Sequence, residues 1–319
     1  MMRQEVYLDY NATTPCAPEV IERMLPFFRE IYGNPSNTRH LQGRRAAKAL
    51  DQAREEVAAL IGAQPREIIF TNGATESNNL AILGLGYRAQ GGKRNRIVIS
   101  AIEHKAVLEP CKALQRIGFD VIILPVDATG RLNIESVREV IDERTLLLSV
   151  HAANNEIGTI QPIREISVIA QTYGALLHCD AAQAVGKIEV DVDEWGVDLL
   201  SLSGHKLYGP KGVGALFTRS TSWLEPILLG GGQEGGIRAG TSNVSAIVGL
   251  GAACHLCKPL LADEARTLAT LRDYLEANLM RAIPILQRNG NLAQRLPNTS
   301  SLTFPKIDAD ALLLNIPHI

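Results

Sequence analysis

The chain has 319 residues, 46% of them hydrophobic, and a formal net charge of −2, enough length for one large folded unit and a smaller second one. Its charges are scattered, which excludes the basic stripe that a nucleic-acid backbone requires; Lys93, Arg94 and Arg96 read as a solvated loop. No charged and then apolar leader opens the chain, and no run reaches the ~18 apolar residues of a membrane span, so a cytoplasmic protein binding neither membrane nor nucleic acid is expected.

In chain order, an N-terminal segment (1–15) precedes helical patterns at 17–32 and 44–61. Between 67 and 219, short aliphatic runs alternate with amphipathic stretches, the pattern of parallel strands joined by crossover helices. The runs are Glu67 to Phe70, Arg96 to Ser100, Asp120 to Pro125, Thr145 to Val150, Ala175 to Cys179, Val197 to Leu202 and Val213 to Thr218. Helices are predicted at 76–88, 105–117, 133–141 and 162–173. Several runs are apolar throughout, as in a sheet covered on both faces. From Asn243 a helical pattern continues to Ala282, with Pro259 the expected boundary between a large domain (16–258) and a small one (259–319) that packs with segment 1–15. In that last part Ser300 to Phe304 reads as a strand and Asp310 to Leu314 as one further element, short for a complete domain.

Five cysteines, Cys16, Cys111, Cys179, Cys254 and Cys257, are odd in number and widely spaced, which fits reduced thiols. Cys254 and Cys257 form a CxxC inside an Ala- and Leu-rich helical run with no second pair, so packing rather than metal binding is expected.

In a wound parallel sheet, ligands bind beyond the carboxyl ends of the strands, where helix N-termini point inward. Polar residues stand at those positions here. The first run leads into Gly73, Ala74 and Thr75, a helix-opening turn suited to a phosphate, although the same residues also make a plain helix cap. Glu103 and His104 follow the second run, His151, Asn154 and Asn155 the fourth, Asp180 and Gln183 the fifth, and Ser203, His205 and Lys206 the sixth. Each alone is readily a structural histidine or a cap; five such loops on one sheet edge point to a site. The set suits pyridoxal phosphate, which needs a lysine for its aldehyde, an acid for its ring nitrogen and anchors for its phosphate. Lys206 and Asp180 fit the first two needs, and burial within the Gly-rich stretch Ser203 to Gly214 would favour the neutral lysine amine.

These residues closely resemble the class V, fold-type I cysteine desulfurases of the NifS/IscS type. The resemblance runs nearly end to end. It rests on Tyr7 to Pro15, Gly33-Asn34-Pro35 with His40 and Gly43, Phe70 to Asn79, Glu103-His104, Asn154 to Gly158, Asp180 to Gln183, Ser203 to Lys206 and Gly230 to Asn243. It implies a fold-type I α/β transferase: a mainly parallel seven-stranded sheet between helices, plus a smaller α/β domain that is cut short. It further implies that Lys206 holds pyridoxal 5'-phosphate as a Schiff base, that Asp180 meets the pyridine nitrogen and Gln183 the ring hydroxyl, and that His104 stacks on the ring and moves protons. Ala74, Thr75, Ser203 and His205 would hold the phosphate, with Thr241 reaching in from the other subunit of a homodimer, and Asn155 would lie beside the substrate carboxylate.

The implied reaction converts L-cysteine to L-alanine and passes sulfur to an enzyme cysteine as a persulfide, for an acceptor such as an iron-sulfur scaffold or a tRNA or DNA thiolation enzyme. In this family that cysteine sits on a loop near the C-terminus, followed by a carboxylate-binding arginine. None of the five cysteines lies in such a motif, and the sequence ends at Pro317-His318-Ile319, near where the loop would begin. The expectation is therefore that these residues bind cofactor and L-cysteine but release sulfur poorly. Cys179, beside Asp180, should face away from the cofactor by strand alternation and be a core thiol. Two other readings share part of the pattern: a related fold-type I lyase or aminotransferase, and a non-catalytic sulfur-transfer scaffold.

Overall fold

A computed structural model describes residues 6–316. Residues 1–5 of the N-terminal segment and the terminal Pro317-His318-Ile319 lie outside the described residues.

The helical pattern at 17–32 forms two short helices, α1 (Pro18–Met24) and α2 (Pro26–Arg29), because Pro26 brings no N–H and starts a new first turn. Helix α3 (Leu41–Ile61) begins three residues earlier than the apolar pattern suggests. The His40 side chain caps it by accepting from the Gly43 N–H, and the left-handed Gly62 ends it. The alternating region follows as β1 (Ile68–Thr71), α4 (Ala74–Ala89), β2 (Arg96–Ser100), α5 (Lys105–Arg116), β3 (Asp120–Leu124), α6 (Ile134–Val140), β4 (Thr145–His151), α7 (Ile163–Thr172), β5 (Leu176–Asp180), α8 (Val192–Trp195), β6 (Leu199–Ser203) and β7 (Gly214–Thr218). Helix α9 (Val244–Ala282), β8 (Gln287–Arg288), β9 (Leu302–Thr303) and α10 (Ala309–Asn315) complete the chain.

The first seven strands form one sheet in the order β1-β7-β6-β5-β4-β2-β3. Strand β7 is antiparallel to both of its neighbours, β1 and β6, and the remaining pairings are parallel. Strand β1 therefore runs in the same sense as β2 to β6, and the ends of β1, β2, β4, β5 and β6 open on one edge. Alternation splits the side chains between two cores. Val98, Leu148, Leu177, Leu200 and Phe217 pack with α3, α7 and α9, and Ile97, Leu147, Leu199 and Leu216 pack with α4 and α5. Coverage is incomplete at the edge strand β3, where Ile123 is 54% exposed.

Helix α9 runs unbroken through Pro259. Its first part, Ala246 to Cys254, is buried, and its second part is largely exposed. An 18-residue window of α9 reaches a mean hydropathy of 1.6, enough for a membrane span by length and composition, contrary to the sequence-based expectation, but half of it is buried inside this fold. Further along, Glu276 accepts both guanidinium nitrogens of Arg295 at 2.7 and 3.0 Å. Arg295 in turn bridges to Thr159, and the neighbouring Gln294 carbonyl accepts from the Ile160 N–H, tying the C-terminal segment to the loop after β4.

Candidate active site

A cavity of about 780 Å³ lies at the shared strand-end edge, closed on one side by residues of the N-terminal segment. Ala74, Thr75 and His104 line it from the loops after β1 and β2, and Asn155, Asp180 and Gln183 from those after β4 and β5. Ser203, His205 and Lys206 reach it from the end of β6. Glu103 and Asn154 stand behind the lining, and Thr241 lies apart, in a neighbouring pocket with Asn72 and Gly212.

Lys206 ends a short 3₁₀ turn, Gly204–Lys206, whose close is tight: Tyr208 has a φ of 61°, a conformation costly for a bulky residue. Two contacts hold it, the Tyr208 N–H donating to Thr14 Oγ1 at 2.9 Å and the Tyr208 hydroxyl donating to Glu264 at 3.1 Å. The Lys206 amine donates to the carbonyls of Asn11 and, at 2.9 Å, Ala12. Burial lowers its pKa below the ordinary lysine range, against the opposing charges of Asp9 and Asp180. Four residues beyond Gln183, Lys187 is pushed down to about 7 by burial and by the Lys206 charge. Its amine donates to Gln183 Oε1 at 2.8 Å, which leaves the Gln183 Nε2 to donate to the Asn11 carbonyl at 2.9 Å.

At the α4 end, Gly73 has a φ of 132° and the backbone comes very close to the start of β7: a Cβ on Gly214 would lie 2.6 Å from the Gly73 Cα. This brings the α4 N-terminus beside Ser203 and His205, an arrangement with positive helix-end potential. His205 Nδ1 is 3.1 Å from Thr13 Oγ1. Burial, then the charges of Lys206, Lys211 and Lys187, lower its pKa, so the ring is neutral near pH 7.

Asp180 forms the opposite pole. Burial raises its pKa above the ordinary carboxylate range, while the Ala182 N–H at 3.0 Å and the Asn78 amide at 2.6 Å work to keep it ionised. At the mouth, His104 caps α5, its Nδ1 accepting from the Ala106 N–H at 3.1 Å, which puts the proton of the neutral ring on Nε2. Asn154 shapes its loop by accepting from the Glu156 and Ile157 N–H groups, whereas Asn155 faces the cavity. Cys179 is fully buried in the core on the far side of the sheet, as strand alternation required.

Asn11, within the Tyr7 to Pro15 motif, is a further site residue that the sequence pattern does not single out. Its side chain donates to the Asn155 carbonyl at 3.1 Å and to Thr299 Oγ1 at 3.0 Å, while its carbonyl receives Lys206 and Gln183. His151, Asp9 and Lys211 also line the cavity without an assigned role. For Asn11, Asp9 and Lys211, no strand-end position marked them.

The profile described as aminotransferase class-V matches residues 6–316. A cysteine desulfurase IscS from Dictyoglomus turgidum is 47% identical over 315 residues, covering 99% of this chain and 79% of that protein. A cysteine desulfurase from Mus musculus is 43% identical over 316 residues, 98% of this chain and 69% of that protein. Among solved structures, a NifS-like protein superposes with a TM-score of 0.95 at 41% identity, covering 99% of this chain and 87% of that one. SspA in complex with cysteine does so with a TM-score of 0.85 at 40% identity, covering 98% and 86%. The chain thus belongs to the class-V aminotransferase family, among its cysteine desulfurases.

Proposed function

We propose that this protein is a pyridoxal-phosphate-dependent cysteine desulfurase that converts L-cysteine to L-alanine. The observation that carries the reading is one cavity in which a buried carboxylate, Asp180, and an amine of lowered pKa, Lys206, sit at the ends of adjacent strands, with a helix N-terminus completing the site. The residues fit the cofactor. Asp180 is a buried carboxyl group with only neutral hydrogen-bond donors on its oxygens, so it suits a protonated ring nitrogen, and the Gly73 to Thr75 turn beside His205 suits a phosphate. When bound, pyridoxal phosphate supplies an aldehyde carbon for amines and a protonated ring that withdraws electrons.

In this reading Lys206 would hold the cofactor through its aldehyde, its lowered pKa favouring the free amine that such attachment requires. Asp180 would keep a proton on the ring nitrogen, and Gln183, its amide fixed by Lys187, would meet the ring hydroxyl. His104, lining the cavity with Nε2 free to carry a proton, would meet the ring and serve in proton transfer. Ala74, Thr75, Ser203 and His205 bind the phosphate, and Asn155 orients the amino-acid carboxylate. Thr241, outside this cavity, serves the other subunit of a homodimer. We further assign residues 16–258 to the cofactor domain and 259–319, with segment 1–15, to a smaller one, in a cytoplasmic enzyme whose sulfur passes as a persulfide to an iron-sulfur scaffold or a thiolation enzyme. The cysteine complex of SspA supports L-cysteine as the substrate.

Purified protein incubated with pyridoxal phosphate should acquire a cofactor absorbance band that survives gel filtration, and Lys206→Ala should lose it. L-alanine should form from L-cysteine with a small thiol present to take the sulfur. A wild-type protein that retains no cofactor, or a band that persists unchanged in Lys206→Ala, would overturn the reading.

A further inference from the structure

At the end of β4 lies a buried histidine–glutamate pair to which none of these roles applies. His151 is in register with Asp180 of β5, so the two side chains leave the same face of the sheet one strand apart, about 4.8 Å between backbones. Glu103 flanks His151 from the loop after β2: its carboxylate accepts from the His151 backbone N–H at 3.1 and 2.9 Å, and its Oε2 lies 3.4 Å from the ring Nδ1. The Ser100 hydroxyl donates to the same carboxylate. Both side chains are buried, with 0% exposure for Glu103 and 5% for His151. The ring lines the cavity, yet its Nε2 is buried without a hydrogen-bond partner, an expensive arrangement for a purely structural histidine.

Burial by itself would strip the ring of a second proton. The charge and hydrogen bond of Glu103, with the charge of Asp180, outweigh it and raise the His151 pKa above the ordinary value. The other titratable groups nearby do not supply that positive charge at the Asp180 end. His178 of β5, pushed down to about 4 by burial, is neutral and bonded to Ser149 and Ser201. Cys111 of α5 is a thiol pushed up to about 12 by burial and by Glu103. His104 caps α5 at the cavity mouth, and Lys206 is turned onto the N-terminal segment carbonyls.

We propose that Glu103 and His151 are positioning residues that act through Asp180: an imidazolium anchored on Glu103 keeps the neighbouring Asp180 carboxylate ionised, ready to receive a protonated ring nitrogen. The proposal rests on the cofactor reading above. Charge balance supports it. With His151 neutral, Glu103 and Asp180 would be two uncompensated buried anions, and Asp180 would tend to take up the proton meant for the ring. With the imidazolium in place the cluster carries one net negative charge, which a pyridinium cancels.

Titration of the ¹⁵N-histidine-labelled full chain tests the charge directly, with His151 assigned by the signal lost in His151→Gln. Both His151 ring nitrogens should remain protonated as pH rises through 6.5, and Glu103→Gln should move that titration to lower pH. A ring neutral below pH 6.5, or a titration indifferent to Glu103→Gln, overturns the proposal. In cofactor titrations, His151→Gln should weaken binding about tenfold in the wild-type background and have little effect in Asp180→Asn, because the histidine acts through that carboxylate. Additive losses would mark a merely structural residue and reject the proposal. If the wild type binds no cofactor, the cofactor reading fails, and the imidazole titration then decides the His151 charge by itself.

Discussion

Beneath the cavity floor, His178 has both ring nitrogens engaged, Nδ1 with Ser149 Oγ at 2.8 Å and Nε2 with Ser201 Oγ at 3.0 Å. It is fully buried, and its pKa falls from 6.5 to about 4 because desolvation penalises the charged ring. The unfolded chain therefore binds a proton near pH 6.5 that the folded chain refuses until about pH 4. Between those values the unfolded state holds more protons, so stability declines as pH falls, by roughly 3 kcal/mol across the window. Urea unfolding at a series of pH values should show this slope, and His178→Gln should flatten it by about one proton; equal slopes in the two proteins would refute the assignment. Such roles lie only partly within reach of a sequence. The cavity positions of Lys206, Asp180, Thr75 and His104 were legible because each stands at or just beyond the end of a strand, where ligands bind. His178 sits inside a strand, where nothing in the sequence distinguishes it from a packed residue, and Asn11 gains its role from partners up to 288 positions away.

Among the elements, the strands were legible as aliphatic runs, but a run carries no direction. The reversal of β7 nevertheless has a trace: the connection 204–213 is too short for the crossover that two parallel strands need. The two-residue exposed strand β8 leaves no such trace. Helix packing adds a constraint that periodicity does not reveal. Where α9 crosses α3, Gly251 faces Ala53 so closely that a Cβ would lie 2.7 Å from the Ala53 Cα and 2.6 Å from Glu56 Oε2. Glu56 is itself held by Arg23 of α1 at 2.8 Å, which limits its freedom to move aside. Replacing a mid-helix glycine by alanine ordinarily stabilises by up to about 1 kcal/mol. Here the backbone contact should reverse the sign, and Gly251→Ala should destabilise by about 1–3 kcal/mol through overpacking. A raised denaturation midpoint in Gly251→Ala would contradict this packing.

At the scale of the whole molecule, segments from the two halves of the chain meet at the sheet edge, Asn11 reaching Thr299 and Asn155 while Arg295 and Glu276 anchor the segment around Thr299. This arrangement gathers lysines, histidines and carboxylates around one cavity, yet none of the five cysteines lines it. Cys111, Cys179, Cys254 and Cys257 are buried. Burial pushes the Cys111 thiol up to about 12 and Cys257 up to about 11, and it raises Cys179 and Cys254 as well. Cys16, half-buried, is also raised by burial, with Lys211 opposing. A sulfur acceptor must be a thiolate within reach of the substrate, and these five meet neither condition. Five single Cys→Ala variants should therefore form L-alanine from L-cysteine, with a small thiol present, at the wild-type rate per folded and cofactor-loaded molecule. A variant that keeps its cofactor but loses alanine formation would identify an acceptor among the five and would require that thiol to move from its packed position to the cavity.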